Sequence, residues 1–68
     1  MNWIPVSSSN LDAVAYENGI LYVQFKSGWT YSYQNVPESV YQGLMAASSH
    51  GKYFAAYIKN SYPYTRIR

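Results

Sequence analysis

The 68-residue sequence contains no cysteine, only three acidic residues and a single histidine. Without thiols the chain can form neither a disulfide frame nor a thiolate zinc site, and one histidine is too few for a typical metal centre. No glycine-rich phosphate loop is present. We therefore expect no enzyme activity, no catalytic residue, no metal or other cofactor and no small-molecule substrate.

Long apolar runs are also missing. No stretch approaches the roughly 18 residues of a membrane-spanning helix, and the N-terminus lacks the basic start and apolar stretch of a signal peptide. We therefore expect a cytoplasmic protein without membrane contact. The length predicts one domain, and so short a chain buries little surface. Aromatic residues, 19% of the sequence, must supply much of the core.

The sequence is organised around two stretches of alternating residues, 21–25 and 29–33, which flank a turn at Ser27-Gly28. Alternation predicts strands with one buried face, and β-branched and aromatic residues suit such strands. Two turn lengths compete, and a slip of one residue moves every side chain of one strand to the opposite face. The turn therefore decides whether the tyrosines of the second strand are structural or exposed.

A two-residue loop would pair Lys26 with Trp29 and place Tyr31 and Tyr33 on an exposed aromatic platform of the kind that stacks single-stranded bases. A three-residue loop pairs Phe25 with Trp29 and turns both tyrosines inward. We favour the three-residue loop because it collects the large apolar residues on one face, namely Leu21, Val23, Phe25, Trp29, Tyr31 and Tyr33. The opposite face, which includes Thr30 and Ser32, is then expected to meet solvent.

A further strand is predicted over residues 11–17. Asn18-Gly19 is a strong two-residue hairpin signal, and it places Val14 and Tyr16 on the face already chosen as the core. Two independent turns thus agree on one buried face, as expected of a consistent fold.

After these strands, the spacing of apolar residues changes from that of a strand to that of a helix. Pro37 is tolerated in the first turn of a helix, and Glu38 suits its positive end. The apolar stripe of this predicted helix consists of Val40, Leu44 and Ala47, with Tyr41 and Met45 beside it. Ser49 is expected to cap a second helix over residues 52–59. Its apolar stripe consists of Phe54, Tyr57 and Ile58.

Two helical residues lie outside these stripes. Gly43 is unfavourable within a helix, and we expect it to let the first helix lie close to the sheet. Tyr53 falls off the second stripe and is expected to be accessible.

Both ends of the chain are predicted to be extended. Residues 3–6 predict a short edge segment, because Pro5 lacks the N–H that a central strand would use. Residues 62–68 predict a tail that packs onto the core, since Pro63 excludes a helix.

The predicted fold is α+β: a three-stranded antiparallel meander with one face covered by two short C-terminal helices and an extended C-terminal tail. One domain spans residues 1–68, with its core over about residues 8–67.

Charge is distributed unevenly along the sequence. Residues 1–45 carry one lysine and all three acids, a formal charge of −2, whereas residues 46–68 carry +4 and no acid. Such asymmetry points to an anionic partner, although a solubilising surface explains it equally well. Lysine and arginine contact phosphates, and tyrosine stacks on bases. The candidate nucleic-acid-binding residues are therefore Lys52, Tyr53, Lys59, Tyr64, Arg66 and Arg68. A purely structural alternative stays open for Tyr62 and Tyr64, as a hydrophobic clasp.

Several spaced motifs occur together: Leu21-x-Val23-x-Phe25, Gly28-x-x-Tyr31-x-Tyr33, Val36-Pro37, Ala47-Ser48-Ser49-x-Gly51-x-Tyr53-Phe54 with Ile58, and Tyr62-Pro63-Tyr64-x-Arg66-Ile67. With these motifs the chain resembles the KTSC domain family, named for an extension of some lysyl-tRNA synthetases and found in small bacterial and phage proteins. The resemblance implies a small α+β module with no known catalysis and a proposed role in RNA binding. It supplies no site residues, and similar domains often carry asparagine at the position of Ala55.

The leading hypothesis is therefore a non-enzymatic module that binds RNA or single-stranded nucleic acid. The alternative is a protein–protein interaction module or homodimer, for example a phage-borne modulator of a host protein, because a small sheet has edges that can pair.

Overall fold

A five-stranded antiparallel sheet with strands in sequential order forms one layer of the molecule, in a computed structural model that describes residues 1–68. The strands are β1 (Ile4–Pro5), β2 (Leu11–Glu17), β3 (Ile20–Phe25), β4 (Thr30–Tyr33) and β5 (Tyr64–Arg66). The helices α1 (Glu38–Ala46) and α2 (His50–Tyr57) lie between β4 and β5 in the chain. The α+β class is confirmed. Neither helix has the length and apolarity needed to cross a membrane.

The expected three-stranded meander is wrong in its number of strands. The predicted edge segment is β1, which pairs Ile4 with Val14 of β2. The predicted C-terminal tail is a true edge strand, which pairs Tyr64 with Tyr33 and Arg66 with Tyr31. Strand β5 supplies hydrogen-bond partners for backbone groups of β4 that would otherwise lack them. The sequence of β4 gave no indication of this pairing.

The register of the central hairpin is the predicted one. The Phe25 N–H donates to the Trp29 carbonyl oxygen at 2.9 Å, and Gly28 has a φ of 101°, a conformation that favours glycine. In this register Val23 pairs with Tyr31, and Leu21 pairs with Tyr33. Both tyrosines therefore point to the helix side of the sheet.

The first hairpin is also confirmed. Asn18 and Gly19 have φ values of 54° and 78°, as a type I′ turn requires, and Glu17 pairs with Ile20. The register shifts between Leu11 and Ala13, which marks a β-bulge. The bulge allows Leu11 to pair with Phe25, and Leu11 is fully buried.

The core lies between the helices and one face of the sheet. Its buried members are Leu11, Val14, Leu21, Val23, Tyr33, Val36, Leu44, Phe54 and Ile58. The predicted cap of the second helix is present, because the Lys52 N–H donates to the Ser49 Oγ at 3.3 Å. His50 Nδ1 lies 2.8 Å from the Leu44 carbonyl oxygen, to which it donates, so this side chain ties the end of α1 to the start of α2.

Three expectations about individual side chains are wrong. Tyr57 was placed on the buried stripe of α2, but it is 59% exposed, since the helix ends at this residue. Tyr53 was expected to be accessible, yet it is half-buried against the core. Gly43 does not bring α1 close to the sheet. It makes room for the Tyr53 ring, which a Cβ at this position would overlap.

The face of the sheet opposite the helices is less exposed than expected. Thr30 and Ser32 were expected to meet solvent but are 6% and 5% exposed. Their strand is central because β5 adds a neighbour on its outer side. Longer side chains beside them, such as Gln24 and Tyr22 on β3, pair directly with these two residues. Small side chains in the middle of a sheet are shielded by such neighbours.

Candidate functional site

A groove of about 510 Å³ lies on the helix side of the sheet, between β4 and β5 on one side and α2 with its following turn on the other. Seven of its eleven lining residues are hydrophobic. We call it the aromatic groove, and it is lined by Asn10, Phe25, Ser27, Trp29, Tyr31, Tyr33, Phe54, Ala55, Lys59, Asn60 and Tyr64. Small-molecule sites in proteins commonly measure about 300–1,000 Å³, so the groove is large enough to hold a ligand.

The tyrosine wall of the groove follows from strand geometry. Residues two apart on a strand share a face, so Tyr31 and Tyr33 both point toward α2. The antiparallel register of β5 places Tyr64 opposite Tyr33 on the same face. The ring centroid of Tyr64 lies 5.6 Å from the ring centroid of Tyr31 and 5.6 Å from that of Tyr33. Three phenol rings therefore form one continuous surface.

Phe54 and Phe25 close the inner end of the groove. The Phe54 ring meets Tyr33 edge to face at 5.3 Å and Phe25 at 5.6 Å, arrangements that aromatic pairs prefer. Because α2 has only eight residues, it is about 12 Å long and leaves the outer rings uncovered. Tyr64 is 58% exposed and Trp29 is 46% exposed.

Backbone hydrogen bonds position the polar rim of the groove. The Lys59 N–H donates to the Phe54 carbonyl oxygen at 2.9 Å, which folds the turn after α2 and places Lys59 and Asn60 beside the groove. The Lys26 N–H donates to the Asn10 carbonyl oxygen at 2.9 Å, which holds Asn10 against the β3–β4 turn. Two amide side chains, those of Asn10 and Asn60, thus line a groove whose lining is mostly apolar.

The charges around the groove have one sign. Lys59 is the only charged residue that lines it. The guanidinium carbon of Arg66 lies 3.9 Å from the centroid of the Trp29 ring, which is a cation–π contact. The three carboxylates of the chain, Asp12, Glu17 and Glu38, do not line the groove. An anionic group is therefore attracted to its rim.

Burial, together with the neighbouring phenols of Tyr31 and Tyr64, raises the pKa of the Tyr33 phenol to about 12. Tyr33 is consequently protonated throughout the physiological pH range, and its hydroxyl can donate a hydrogen bond but cannot act as a base.

Metal-ligating side chains do not gather anywhere in the fold. No group of three or more His, Asp or Glu residues lies close enough to hold an ion. His50 uses Nδ1 to bond the Leu44 carbonyl oxygen. The interactions that the aromatic groove offers are stacking, hydrogen bonding and contact with a cation.

The six candidate residues from the sequence do not form one site. Lys59 and Tyr64 line the aromatic groove, and Arg66 stacks on its Trp29. Tyr53 packs beside Tyr57, with ring centroids 4.7 Å apart, and fills the space at Gly43.

The remaining two candidates lie elsewhere. Lys52 is exposed on α2, two turns before Lys59. Arg68 lines a smaller hollow of about 220 Å³ on the opposite face of the sheet, with Trp3, Gln24, Thr30 and Ile67. The structure therefore brings together three of the six residues.

Sequence reasoning missed most of the groove. The favoured register correctly placed Phe25, Trp29, Tyr31 and Tyr33 on one face, but all were assigned to the core. A usable signal was the quantity of aromatic surface on that face, which exceeds what two helices of nine and eight residues can cover. The rim residues Asn10 and Asn60 carried no signal, because tertiary contacts position them.

Comparison with known proteins places this fold in a family. A family model for the KTSC domain matches residues 7–62. An uncharacterised protein of Stutzerimonas stutzeri (strain A1501) is 40% identical over 70 aligned residues, which cover 98% of this chain and 99% of that protein. A protein of Tsukamurella paurometabola is 39% identical over 57 residues, with coverage of 81% and 85%.

A solved structure supports the same family assignment as the sequence relatives. The crystal structure of a KTSC domain protein from Yersinia pestis superposes with a TM-score of 0.92 at 37% identity, and the match covers 98% of this chain and 97% of that chain. The resemblance noted in the sequence is thereby confirmed, and the chain belongs to the KTSC domain family.

Proposed function

We propose that this protein is a non-enzymatic module that binds RNA or another single-stranded nucleic acid. An unpaired base stacks in the aromatic groove, and the adjoining backbone phosphate contacts Lys59 and Arg66. The observation that carries the proposal is the combination of open aromatic surface, cationic rim and absence of lining carboxylates in one groove.

Stacking supplies the first part of the affinity. Base–aromatic stacking contributes about 1–3 kcal/mol per base and tolerates any base, because every base has a π face. Tyr64 and Trp29 are about half exposed, so a ligand can reach them without unfolding any element. An exposed apolar surface of this kind on a small domain commonly marks an interaction site.

Electrostatic attraction supplies the second part. Residues 46–68 carry a formal charge of +4, and this segment contains α2 and β5, the two elements beside the groove. Phosphate binding by lysine and arginine releases condensed counterions, so the affinity for nucleic acid falls as the salt concentration rises.

Binding takes place in the groove and not on the open sheet. The sheet face without helices carries small buried side chains at its centre, such as Ala15, Thr30 and Ser32. A flat recognition sheet instead presents aromatic rings to successive bases. In this fold the corresponding tyrosines point to the other face.

The test is a titration of fluorescein-labelled oligouridine and tRNA at about 50 and 200 mM salt. We expect binding at the lower concentration that weakens at the higher one. Tyr64→Ala should weaken it about 10- to 100-fold, the loss of one stacking contact. Tyr57→Ala is the matched control, since Tyr57 is 59% exposed, Tyr64 is 58% exposed, and only Tyr64 lines the groove. Absence of binding at low salt would refute the proposal.

A protein partner is the second candidate. Strand β5 is an edge strand, and its outer side offers unpaired backbone groups beside Ile67, which is 54% exposed. Sedimentation over a wide range of protein concentrations tests whether this edge pairs with a second copy of the chain. A monomer at all concentrations removes self-association. A dimer abolished by Arg66→Pro would support it, because the Ile67 N–H donates to Thr30 of the sheet and the Arg66 N–H therefore points to the outer edge.

A further inference from the structure

The aromatic groove has stacking surface for little more than one base. Centroids of the three tyrosine rings, Tyr31, Tyr33 and Tyr64, lie within 5.6–6.4 Å of one another, so they form one joint surface and not a row of separate platforms. Proteins that track a strand place successive bases on separate aromatic side chains. Here Phe54 of α2 closes the inner end of the surface.

The charges at the groove are also few. Lys59 is the one charged lining residue, and Arg66 is held against Trp29 at the same rim. Lys52 lies on α2, seven residues before Lys59, and does not line the groove. Arg68 faces the opposite side of the sheet. This arrangement neutralises one or two phosphates and provides no cationic path along which a long strand could run.

Two amide side chains that line the groove, Asn10 and Asn60, can contact the edge of a base. The Ser8 hydroxyl donates to Asn10 Oδ1 at 3.1 Å, which leaves the Asn10 NH₂ as a donor, and Asn60 is exposed. Base edges in single-stranded RNA are recognised by such hydrogen bonds together with stacking. The groove thus combines the elements that recognise one base and its phosphate.

We propose that the aromatic groove binds a single nucleotide unit, with its base among the tyrosine rings and its phosphate at Lys59. The unit is either a nucleoside monophosphate or one terminal or flipped-out nucleotide of a longer strand. This inference rests on the proposed function and narrows its ligand to one nucleotide per domain.

The test uses Trp29 as an internal reporter. The substitution Trp3→Phe removes the only other tryptophan, which lies outside the groove. Fluorescence titrations compare the four nucleoside 5′-monophosphates, the four nucleosides and the four homo-octamers at about 50 and 200 mM salt. At least one monophosphate should bind within about 10-fold of its octamer, and its nucleoside about 10-fold more weakly. For the octamer, the slope of log affinity against log salt concentration should be about −1, as contact with one or two phosphates requires.

Variants separate the local phosphate contact from general charge. Lys59→Ala should weaken the affinity for the monophosphate to that for its nucleoside. It should also bring the salt slope of octamer binding close to zero. Lys52→Ala, which removes the same charge from the neighbouring helix α2 outside the groove, should change neither value by more than about 2-fold. Equal effects of the two substitutions would overturn the assignment of the phosphate to Lys59.

The outcomes distinguish the two proposals. Octamers that bind with a salt slope steeper than about −2, while no monophosphate binds at millimolar concentration, would overturn the single-nucleotide inference and leave the proposed function intact. Failure of octamers and monophosphates alike at about 50 mM salt would overturn both.

Discussion

Tyrosines pack against both helices of this fold, with opposite consequences. Beside α1, Tyr16 stacks on Tyr41 with ring centroids 4.6 Å apart, and its hydroxyl donates to the Val36 carbonyl oxygen at 2.6 Å. Beside α2, Tyr31 and Tyr64 contact other rings but also border an open groove. The same residue type therefore closes the core at one helix and leaves a binding surface at the other. The difference lies in how completely the neighbouring elements cover each ring.

The largest expected loss of stability comes from removing the tyrosine that packs against α1. Tyr16→Ala should lower the free energy of unfolding by about 3 kcal/mol, because it removes a stacked ring and leaves the buried Val36 carbonyl oxygen without its donor. Tyr31→Ala should cost about half as much, since the space it leaves joins the existing groove and creates no closed cavity. Urea denaturation measures the free energy of unfolding of both variants. Equal losses would show that Tyr31 is as completely enclosed as Tyr16.

The second prediction concerns the alkaline stability of the α2 side. The pKa of Tyr33 is near 12 in the folded protein and near 10 in the unfolded chain. Between these values the unfolded chain has already lost the proton, so the free energy of unfolding falls as the pH rises, by roughly 2–3 kcal/mol in all. Tyr33→Phe should remove this fall, whereas Tyr57→Phe should not. An unchanged pH profile in Tyr33→Phe would show that another group is responsible.

The third prediction tests the junction between the two helices. A Cβ at Gly43 would overlap the Tyr53 ring, so Gly43→Ala should destabilise the fold by about 1–2 kcal/mol despite the better helix propensity of alanine. In a Tyr53→Ala background the same substitution should become neutral or stabilising. Gln42→Ala, on the exposed side of α1, is the control and should change stability by less than about 0.5 kcal/mol. Thermal melts of the four proteins check the cycle.

The smallest expected effect concerns the rim of the aromatic groove. Arg66→Ala removes the cation from the Trp29 ring and should change stability by about 0.5–1 kcal/mol. Near-ultraviolet circular dichroism of the Trp3→Phe variant should change in the tryptophan band, because the stacked guanidinium leaves the only remaining indole. If the band stays the same, the Arg66–Trp29 stack is not populated in solution.

Local chemistry was sufficient to predict much of the fold. The turn at Gly28 and the turn at Asn18-Gly19 predicted two strand registers correctly, because positive φ values at those residues depend on neighbours in the sequence. The N-terminal cap of α2 at Ser49 was predicted for the same reason. Pairing of β5 with β4 was missed, since it joins residues more than 30 positions apart and no turn links them.

The candidate site was predicted less well than the fold. A basic and aromatic C-terminal segment was identified, and Lys59, Tyr64 and Arg66 do lie at the groove. Tyr53 carries the same side chain as Tyr64 but fills the space at Gly43. Residue type and charge alone could not separate these positions, because exposure depends on which element packs above each ring.

The amino-acid sequence by itself determined the family, the α+β class, the central hairpin register and the helix side to which the tyrosines point. These features depend on side-chain alternation and turn residues, which are local properties. Only the tertiary structure decided that the sheet has five strands and that its aromatic face is partly open. The reason is physical: the short α2 covers Tyr33 with its Phe54 but leaves Tyr64 and Trp29 exposed. The extent of such coverage depends on contacts between distant parts of the chain.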